Sequence, residues 1–525
     1  MNRTHINTIS MSAIKFKMLK TGNFRSIVGR SKKYLSFSAI FATVFIVFSR
    51  FEFNKRMPFF SGEDSFYHVG MAKYIFEHGI PHQFPYLFYT ILNKNFVDHQ
   101  LLFHLILIPF IKIFGEITGP KIMIIGFVAL SFSLLYLIFK EKNLKFAGFY
   151  ALAAFFVMPA DFYFRMAFIR VEAAALFLMV LSFYLLSKKK YVWLGIVSLL
   201  FCWLYAGFFI IPVLVVAYLS AMLLTNQKID YKLPLAVFVG TLLGIIINPY
   251  FPKNINFLMV QIFQTGFGAK PYSGGEWKPY DTWYWFCSSI VPIMIFFGSL
   301  LIGLIKKEKS NFKELMVVIF GFFLLALELK SKRYVEYWPF WAVMSGFILA
   351  GPYLEEKIIN FKKNNGSTSK GISFLMLIIL IVAASFLYGS EQMGKGLADT
   401  QTPINMDKAK EVHDVLKKDS SSGDIVFTDD WDVFPYYFYL NQKNYYIVGL
   451  DPEFMNKYDS GLFEEFASIS SGKDSTNLEK IKNDFNAKWV IVASDHPQFK
   501  MNLENNSELF KKVFSNGDFT LFQVL

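Results

Sequence analysis

Long apolar segments, separated by short basic ones, recur between residues 34 and 389 of this 525-residue chain. The segment LGIVSLLFCWLYAGFFIIPVLVVAYLSAMLL, at 194–224, contains no charged residue. A helix needs about 20 apolar residues to cross a bilayer, so this segment is long enough for two spans, which we expect to turn near Ala206 and Gly207. Because 54% of the residues are hydrophobic and only 18% are charged, a soluble multidomain protein is excluded. The chain is predicted to be a polytopic α-helical membrane protein.

About eleven transmembrane helices are predicted when the segment 191–224 is counted as two. The predicted spans are 34–52, 119–139, 145–160, 170–187, 191–224, 233–249, 284–305, 314–329, 336–353 and 372–389. The segment 101–117 is apolar but interrupted by Pro109 and Lys112, and we expect it to lie along the membrane surface. With that arrangement the basic loops between the spans all face the cytoplasm, as the positive-inside rule requires.

The chain is predicted to have three parts. Residues 1–33 carry eight Lys or Arg and no acid, which indicates a cytoplasmic N-terminus ahead of a retained first helix rather than a cleaved signal peptide. Residues 34–389 form the transmembrane domain, with a large outer loop at 53–118. Residues 390–525 are predicted to form an extracytoplasmic soluble α/β domain, because the runs DIVFT, YYIVG, KWVIVAS and FTLFQV alternate with helical patterns such as NLEKIKNDF. The net charge of +13 reflects membrane topology and not a nucleic-acid partner.

Polar residues cluster just outside the first predicted span, in EDSFYHVGMAKYIFEHGIP and NFVDHQLLFH. If a helix begins near position 64, Asp64 and His68 share one face, with Glu63 beside them. Asp98 and His99 stand at the start of the surface helix. An acid at a helix start is also favoured as a cap, and an interfacial histidine is often only amphipathic filler. Five of the eight histidines lie between positions 68 and 104, which makes metal or phosphate binding the functional alternative.

Ionisable residues also stand at the predicted outer ends of later spans. FRMAFIRVEAAAL places Arg165 and Glu172 seven residues apart, two helical turns, with Arg170 between them. Charged groups at a membrane mouth are costly and usually functional, although arginines also snorkel to the interface for structural reasons. A later outer loop brings Glu276 and Trp277 directly after two glycines.

Three cations, Lys330, Lys332 and Arg333, lie on the predicted outer side within ELKSKRYVEYWPFW, against the positive-inside rule. An anionic lipid phosphate is the simplest reason for cations in that position. An acid that activates an acceptor, together with cations that stabilise a departing phosphate, is what sugar transfer from a lipid-phosphate donor requires.

The sequence resembles the GT-C superfamily of integral-membrane glycosyltransferases, above all its oligosaccharyltransferase-like and dolichyl-phosphate-mannose-transferase-like branches. EDSFYHVGMAKYIFEHGIP is similar to the family's first outer loop, whose acid is the catalytic carboxylate. The resemblance implies that role for Asp64, with Glu63 as its neighbour. FVDHQLLFHLILIPF matches the helix that follows, where aminoarabinose-type transferases carry an acid, here Asp98.

Later motifs carry the resemblance to the end of the chain. Arg165 and Glu172 keep the spacing of an oligosaccharyltransferase motif, in which an arginine stands seven residues before an Asp-x-Asp or Asp-x-Glu pair, but Ala174 replaces the second acid. KRYVEYWPFW is similar to the segment whose arginine contacts the donor phosphate, here Arg333. TDDWDVFPYYFYLN shares only Trp431 and Asp432 with the family's Trp-Trp-Asp-Tyr-Gly motif.

The resemblance and the residue patterns together imply three sets of site residues. The candidate catalytic residues are Asp64, Glu63, Asp98 and Glu172. The candidate ligands of a divalent metal, Mg²⁺ or Mn²⁺, are Asp64, Asp98 and Glu172. The candidate substrate-binding residues are His68, His99, Arg165, Arg170, Glu276, Trp277, Lys332, Arg333, Tyr337, Trp431 and Asp432.

We therefore expect an inverting membrane glycosyltransferase. It would move a sugar from a polyprenyl-phosphate or polyprenyl-diphosphate donor to a glycan, lipid or protein acceptor on the extracytoplasmic face, in contact with membrane lipid. A polytopic transporter or lipid flippase is the first alternative, and it predicts charges inside the spans and repeated halves. A non-catalytic membrane assembly factor is the second alternative.

The Lys-, Asn-, Ile- and Phe-rich composition favours a location in a prokaryotic plasma membrane, and the endoplasmic reticulum is the alternative location.

Overall fold

The computed structural model describes residues 33–53, 59–259, 275–306, 311–364, 380, 382–392, 394 and 404–525. Residues 1–32 of the predicted basic N-terminus, 1–33, and residues 372–379 and 381 of the last predicted span, 372–389, lie outside the described residues. The helices of the apolar part are α1 (Lys33–Glu52), α2 (Asp64–His78), α3 (Leu101–Phe114), α4 (Thr118–Glu141), α5 (Ala147–Phe156), α6 (Ala160–Met166), α7 (Glu172–Ser187), α8 (Tyr191–Leu204), α9 (Ile210–Leu224), α10 (Lys232–Ile246), α11 (Lys253–Met259), α12 (Thr282–Ser288), α13 (Ile290–Lys306), α14 (Phe312–Lys330), α15 (Trp338–Asn364) and α16 (382–392). Short 3₁₀ turns occupy Ala206–Phe209, Gly275–Trp277 and Lys332–Glu336.

Several described helices are apolar and long enough to cross a bilayer, as expected for an integral membrane protein. By length and composition these are α1, α4 and the continuous helix Ala206–Leu224. Two further pairs pass the same criterion but are bent, α5–α6 by 88° and α12–α13 by 76°, which brings the total among the described residues to at most five. The count of about eleven spans stays a prediction.

The bent pairs correct two predicted spans, 145–160 and 284–305, which are not single straight helices. In the first, the chain breaks at Pro159, because the residue before a proline avoids the helical conformation. In the second, Pro292 has no N–H to donate to the turn before it.

Other element boundaries agree with the sequence-based expectations. The segment 191–224 forms a helical hairpin that turns at Ala206–Phe209, and α2 begins at Asp64. The segment 101–117 contains α3, and its position along the membrane surface stays a prediction, because its 14 residues do not distinguish it from α7, α8 and α10, which have 16, 14 and 15 residues. Close approach of α8 to α10 requires small residues, because a Cβ on Gly240 would collide with the carbonyl oxygen of Gly195.

A five-stranded mixed sheet forms the centre of the C-terminal part of the chain. Its strands are β1 (Ile425–Thr428), β2 (Tyr445–Tyr446), β3 (Ala487–Ala493), β4 (Phe510–Ser515) and β5 (Phe519–Val524), in the spatial order β2-β1-β3-β5-β4. The strands β2, β1 and β3 are parallel, whereas β5 runs antiparallel to both β3 and β4. The helices of this part are α17 (Met406–Asp419), α18 (Phe434–Leu440), α19 (Glu453–Asn456), α20 (Ser460–Ser470), α21 (Lys480–Asn483) and α22 (Pro497–Glu504).

Four of these five strands agree with strands predicted from the sequence, whereas β4 was not predicted. The available signal was the Asn516-Gly517 pair, a typical hairpin turn between β4 and β5. The start of the C-terminal domain at residue 390 stays a prediction.

The C-terminal part packs directly on α2. The rings of Phe66 and Tyr436 lie 4.7 Å apart, and Gln442 donates a hydrogen bond of 3.1 Å to the carbonyl oxygen of Gly70. The backbone of the 53–118 segment also joins the sheet edge, because the N–H of Phe88 donates to the carbonyl oxygen of Tyr446 at 2.8 Å. These contacts hold the start of α2 between the apolar helices and the sheet.

His413 offers a test of how the C-terminal part is packed. It is buried on α17, and burial lowers its pKa from 6.5 to about 4. Below pH 6.5 the native state therefore binds fewer protons than the unfolded state. The free energy of unfolding has its full value above that pH, and it falls by up to about 3 kcal/mol as the pH drops towards 4. We expect His413→Leu to remove this acid-dependent loss in thermal unfolding of the purified chain at pH 7.5 and 4.5. The exposed-histidine variant His78→Leu should keep the wild-type dependence, and equal slopes in all three proteins would contradict this account.

Candidate active site

Three arginines and four carboxylates form one ion-pair network, here called the arginine cluster. Its members are Asp64, Arg165, Arg170, Glu172, Glu276, Arg333 and Glu336. They come from the start of α2, the α6–α7 junction, the turn Gly275–Trp277 and the turn Lys332–Glu336. The structure thus brings together residues that the sequence analysis found in separate motifs, and it adds Glu336. The signal for Glu336 was an acid inside the cationic segment KRYVEYW.

Glu276 lies at the centre of the arginine cluster. Its carboxylate is 3.1 Å from Arg165, 3.3 Å from Arg170 and 3.2 Å from Arg333. Burial opposes ionisation of this group, but the three arginines outweigh burial and hold its pKa well below the usual value. Trp277, next in the chain, lies under the Arg333 guanidinium at 4.6 Å from the ring centroid. The three guanidinium groups therefore converge on the position of one anion.

Two buried carboxylates orient the arginines. Glu172 is 3.5 Å from Arg170 and 3.2 Å from Arg333, and Glu336 pairs with Arg165. The side chains of Glu172 and Glu336 are only 3% and 2% exposed, so these pairs are shielded from solvent. Buried charges are stable only when they are paired with an opposite charge. The two carboxylates therefore hold the guanidinium groups in place.

Asp64 is the most exposed acid of the cluster. Its side chain is 46% exposed, against 28% for Glu276, and its only ion pair with another described residue is a 3.5 Å contact with Arg170. The capping alternative is not observed, because the N-cap position of α2 is Glu63 and no side chain caps it. Asp64 therefore presents a carboxylate to solvent directly beside the arginines.

Two buried polar atoms of the cluster have no hydrogen-bond partner among the described residues. They are Oε2 of Glu172 and Nε of Arg333. Buried polar groups are almost always hydrogen-bonded, so an unpaired acceptor and an unpaired donor close together indicate a place where a ligand completes the bonding.

A second set of polar residues forms a chain of hydrogen bonds between α2 and the start of α3. His68 Nδ1 is 2.8 Å from His104 Nε2, and His104 Nδ1 is 2.6 Å from Asp98 Oδ2. All three side chains are buried, and burial holds the pKa of His68 well below its usual value. Asp98 and His68 come from separate predicted motifs, and His104 connects them.

The remaining predicted residues lie outside the cluster. His99 stacks on Phe257 with ring centroids 5.0 Å apart, and Lys332 lies over the ring of Tyr280 at 5.6 Å from its centroid. Tyr337 is buried, and Trp431 packs against the core of the C-terminal sheet.

The predicted metal ligands Asp64, Asp98 and Glu172 do not fit a shared ion. Within the described part of the chain they do not offer ligand atoms within 4.8 Å of one another. Asp98 instead binds His104 through Oδ2 and accepts from the Gln100 N–H through Oδ1 at 3.0 Å.

The loop after β1 brings acidic residues close to Glu63. Burial, together with Asp432, Asp64 and Asp430, raises the pKa of Glu63 to about 7. Burial also raises the pKa of Asp432 to about 6, with Asp430 adding to the effect. Acids of the C-terminal part and Asp64 of the arginine cluster therefore act together on Glu63.

Solved structures share this fold. The oligosaccharyltransferase AglB from Archaeoglobus fulgidus, in complex with an inhibitory peptide and a dolichol-phosphate, matches with a TM-score of 0.56 at 12% identity, over 93% of this chain and 74% of that chain. ArnT from Cupriavidus metallidurans, bound to undecaprenyl phosphate, matches with a TM-score of 0.54 at 10% identity, over 93% of this chain and 97% of that chain. An oligosaccharyltransferase from Archaeoglobus fulgidus, tethered through a disulfide bond to an acceptor peptide that contains the NVT sequon, matches with a TM-score of 0.58 at 12% identity, over 93% of this chain and 74% of that chain.

No protein-family model and no curated protein sequence matches the chain. The fold that the resemblance implies is confirmed by the likeness to AglB and ArnT. At 10–12% identity the likeness shows the fold alone. This chain therefore has the GT-C fold.

Proposed function

We propose that this protein is an inverting glycosyltransferase that moves a sugar from a polyprenyl-phosphate or polyprenyl-diphosphate donor to an acceptor on the extracytoplasmic face of the membrane. The observation that carries the proposal is the convergence of Arg165, Arg170 and Arg333 on a single carboxylate, that of Glu276. Planar guanidinium groups that bind a carboxylate in this way also bind a phosphate. AglB and ArnT, which share the fold, have been seen with dolichol-phosphate and undecaprenyl phosphate.

The arginine cluster is suited to hold the leaving group. In the reaction an acceptor atom bonds to the anomeric carbon, the bond from that carbon to the phosphate oxygen breaks, and its electron pair stays on the phosphate. Positive charge fixed beside the phosphate stabilises the charge that develops there. A phosphate oxygen would accept from the unpaired Arg333 Nε, and a sugar hydroxyl would donate to the unpaired Glu172 Oε2.

Asp64 is suited to act on the acceptor. It is solvent-accessible and lies 3.5 Å from Arg170, so a nucleophile that it holds stands next to the phosphate site. The acceptor's proton passes to the Asp64 carboxylate as the new bond forms, which is general base catalysis. The acceptor, which would be a glycan, lipid or protein, would approach the exposed Asp64 carboxylate from solvent. No step requires a metal held by Asp64, Asp98 and Glu172.

The experiment that tests the function follows a label from lipid to acceptor. Membranes containing the protein are supplied with a panel of radiolabelled polyprenyl-phosphate and polyprenyl-diphosphate sugars, and label is measured in non-lipid and second-lipid fractions. We expect transfer from at least one donor, above membranes that lack the protein. Uptake or flipping of a labelled lipid without transfer would instead support the transporter or flippase, and no change in any label would support the assembly factor.

Variants of the arginine cluster should alter the binding of polyprenyl phosphate itself. We expect Arg333→Met to weaken binding by about 1.5–3 kcal/mol, or roughly 10- to 150-fold in Kd, because a hydrogen-bonded charge pair is lost. Glu276→Gln should strengthen binding several-fold, because it removes the carboxylate that occupies the arginines. Both are measured by titrating purified protein in detergent with polyprenyl phosphate. Lys140→Met, at the far end of α4, is the control, and equal affinities for Arg333→Met and the control would place the phosphate elsewhere.

A further inference from the structure

The ends of two neighbouring strands in the C-terminal sheet carry side chains that the proposed reaction does not use. Asp429 directly follows β1, and Asp495 and His496 come within three residues of the end of β3. Because β1 and β3 are adjacent and parallel, their carboxyl ends lie at the same edge of the sheet. The three side chains offer ligand atoms that all lie within 4.8 Å of one another.

Asp429 is the best-defined member of this group, here called the strand-end triad. Its residue is 2% exposed, and its Oδ2 accepts a hydrogen bond from the N–H of Ala493. Its other oxygen, Oδ1, is buried and has no hydrogen-bond partner among the described residues. An ionised carboxylate in such a place is costly unless a donor or a cation completes its bonding.

We propose that Asp429, Asp495 and His496 bind one divalent transition-metal ion, Zn²⁺ or Mn²⁺. The ligand chemistry selects this class, because imidazole suits transition metals such as zinc whereas Mg²⁺ and Ca²⁺ prefer oxygen-only sites. Three protein ligands leave at least one coordination position open, and the exposed Asp495 shows that solvent reaches the triad.

The ion would join two strands that are distant in sequence. It would fix the loop 429–432, which runs from the end of β1 to Asp432, a neighbour of Glu63. Metal loss is therefore expected to lower the stability of the C-terminal sheet, whatever reaction the protein performs. The proposal does not rest on glycosyl transfer, so it is tested by binding.

The test is a metal titration of the purified full-length protein in detergent after treatment with a chelator. Mn²⁺ binding is followed by the loss of the electron paramagnetic resonance signal of the free ion, and Zn²⁺ binding by competition with a chromophoric chelator. We expect one equivalent per chain for at least one of the two ions, with a rise in the unfolding temperature on loading. His496→Gln and Asp495→Asn should each raise Kd at least about tenfold.

Two matched variants keep the test specific. Asp419→Asn removes an exposed acid at the end of α17, and Asp64→Asn removes an acid of the arginine cluster. Both should bind metal as the wild type does. Loss of binding in Asp64→Asn but not in His496→Gln would move the metal to the arginine cluster and overturn the proposal. The absence of any stoichiometric binding of Zn²⁺ or Mn²⁺, or equal losses in all four variants, would overturn it as well.

Discussion

Asp64→Asn is expected to reduce the rate of sugar transfer by about 10²- to 10⁴-fold, the usual contribution of a positioned general base. Asparagine has nearly the same shape but cannot accept the proton of the acceptor. The loss should appear in kcat, with little change in the affinity for polyprenyl phosphate, because the arginines hold the donor and Asp64 makes a single 3.5 Å ion pair with one of them. Initial rates with a labelled donor, at equal amounts of protein, measure the effect.

Glu77→Gln is the matched control for this experiment. It removes an exposed acid from the last turn of the same helix, away from the arginine cluster, and should transfer at the wild-type rate. If Asp64→Asn also keeps the wild-type rate, Asp64 is not the base, and the neighbouring acids Glu63 and Asp432 become the candidates.

Arg165→Met is expected to destabilise the protein by about 3–5 kcal/mol, the cost of leaving a buried charge without its partner. Glu336 is 2% exposed, and Arg165 is the only cation in the described part of the chain that forms an ion pair with it. Glu276 would be affected less, because it keeps its contacts with Arg170 and Arg333. Unfolding of the purified protein in detergent, followed by temperature or denaturant, gives the size of the loss.

The double variant Arg165→Met/Glu336→Gln separates the charge effect from lost packing. Removing the stranded carboxylate should restore a large part of the stability, whereas Glu336→Gln alone should cost less than Arg165→Met, because Arg165 keeps its 3.1 Å contact with Glu276. A double variant as unstable as Arg165→Met alone would show that packing, and not the buried charge, determines the loss.

Much of the architecture was predictable because it depends on local pattern. A long apolar run predicts a helix, and α4 and the helical hairpin at 191–224 follow from that alone. The start of α2 at Asp64 and the strands β1, β3 and β5 also agree with the sequence. The bends at α5–α6 and α12–α13 were missed, although a proline marks each of them.

The candidate site was predictable as a set of residues but not as a set of pairs. The sequence singled out Arg165, Glu172 and Arg333 as ionisable groups at the edges of apolar segments, and the GT-C resemblance suggested roles for them. It could not show that Arg333 would contact Glu172, 161 positions away, or that Arg165 would choose Glu336, 171 positions away. His104 was visible near Asp98, but its bond to His68 was not.

The sequence by itself determined that this protein lies in a membrane, that a mixed α/β part follows the apolar helices, and which charged residues stand at the ends of those helices. Only the tertiary structure decided which charges meet, that Glu276 would occupy the three arginines, and that Asp429 would meet Asp495 and His496 at one sheet edge. The physical reason is that helix and strand formation follow the periodicity of neighbouring residues. Ion pairing and metal ligation depend instead on distances of a few ångströms and on burial, which the chain acquires only when distant segments pack together.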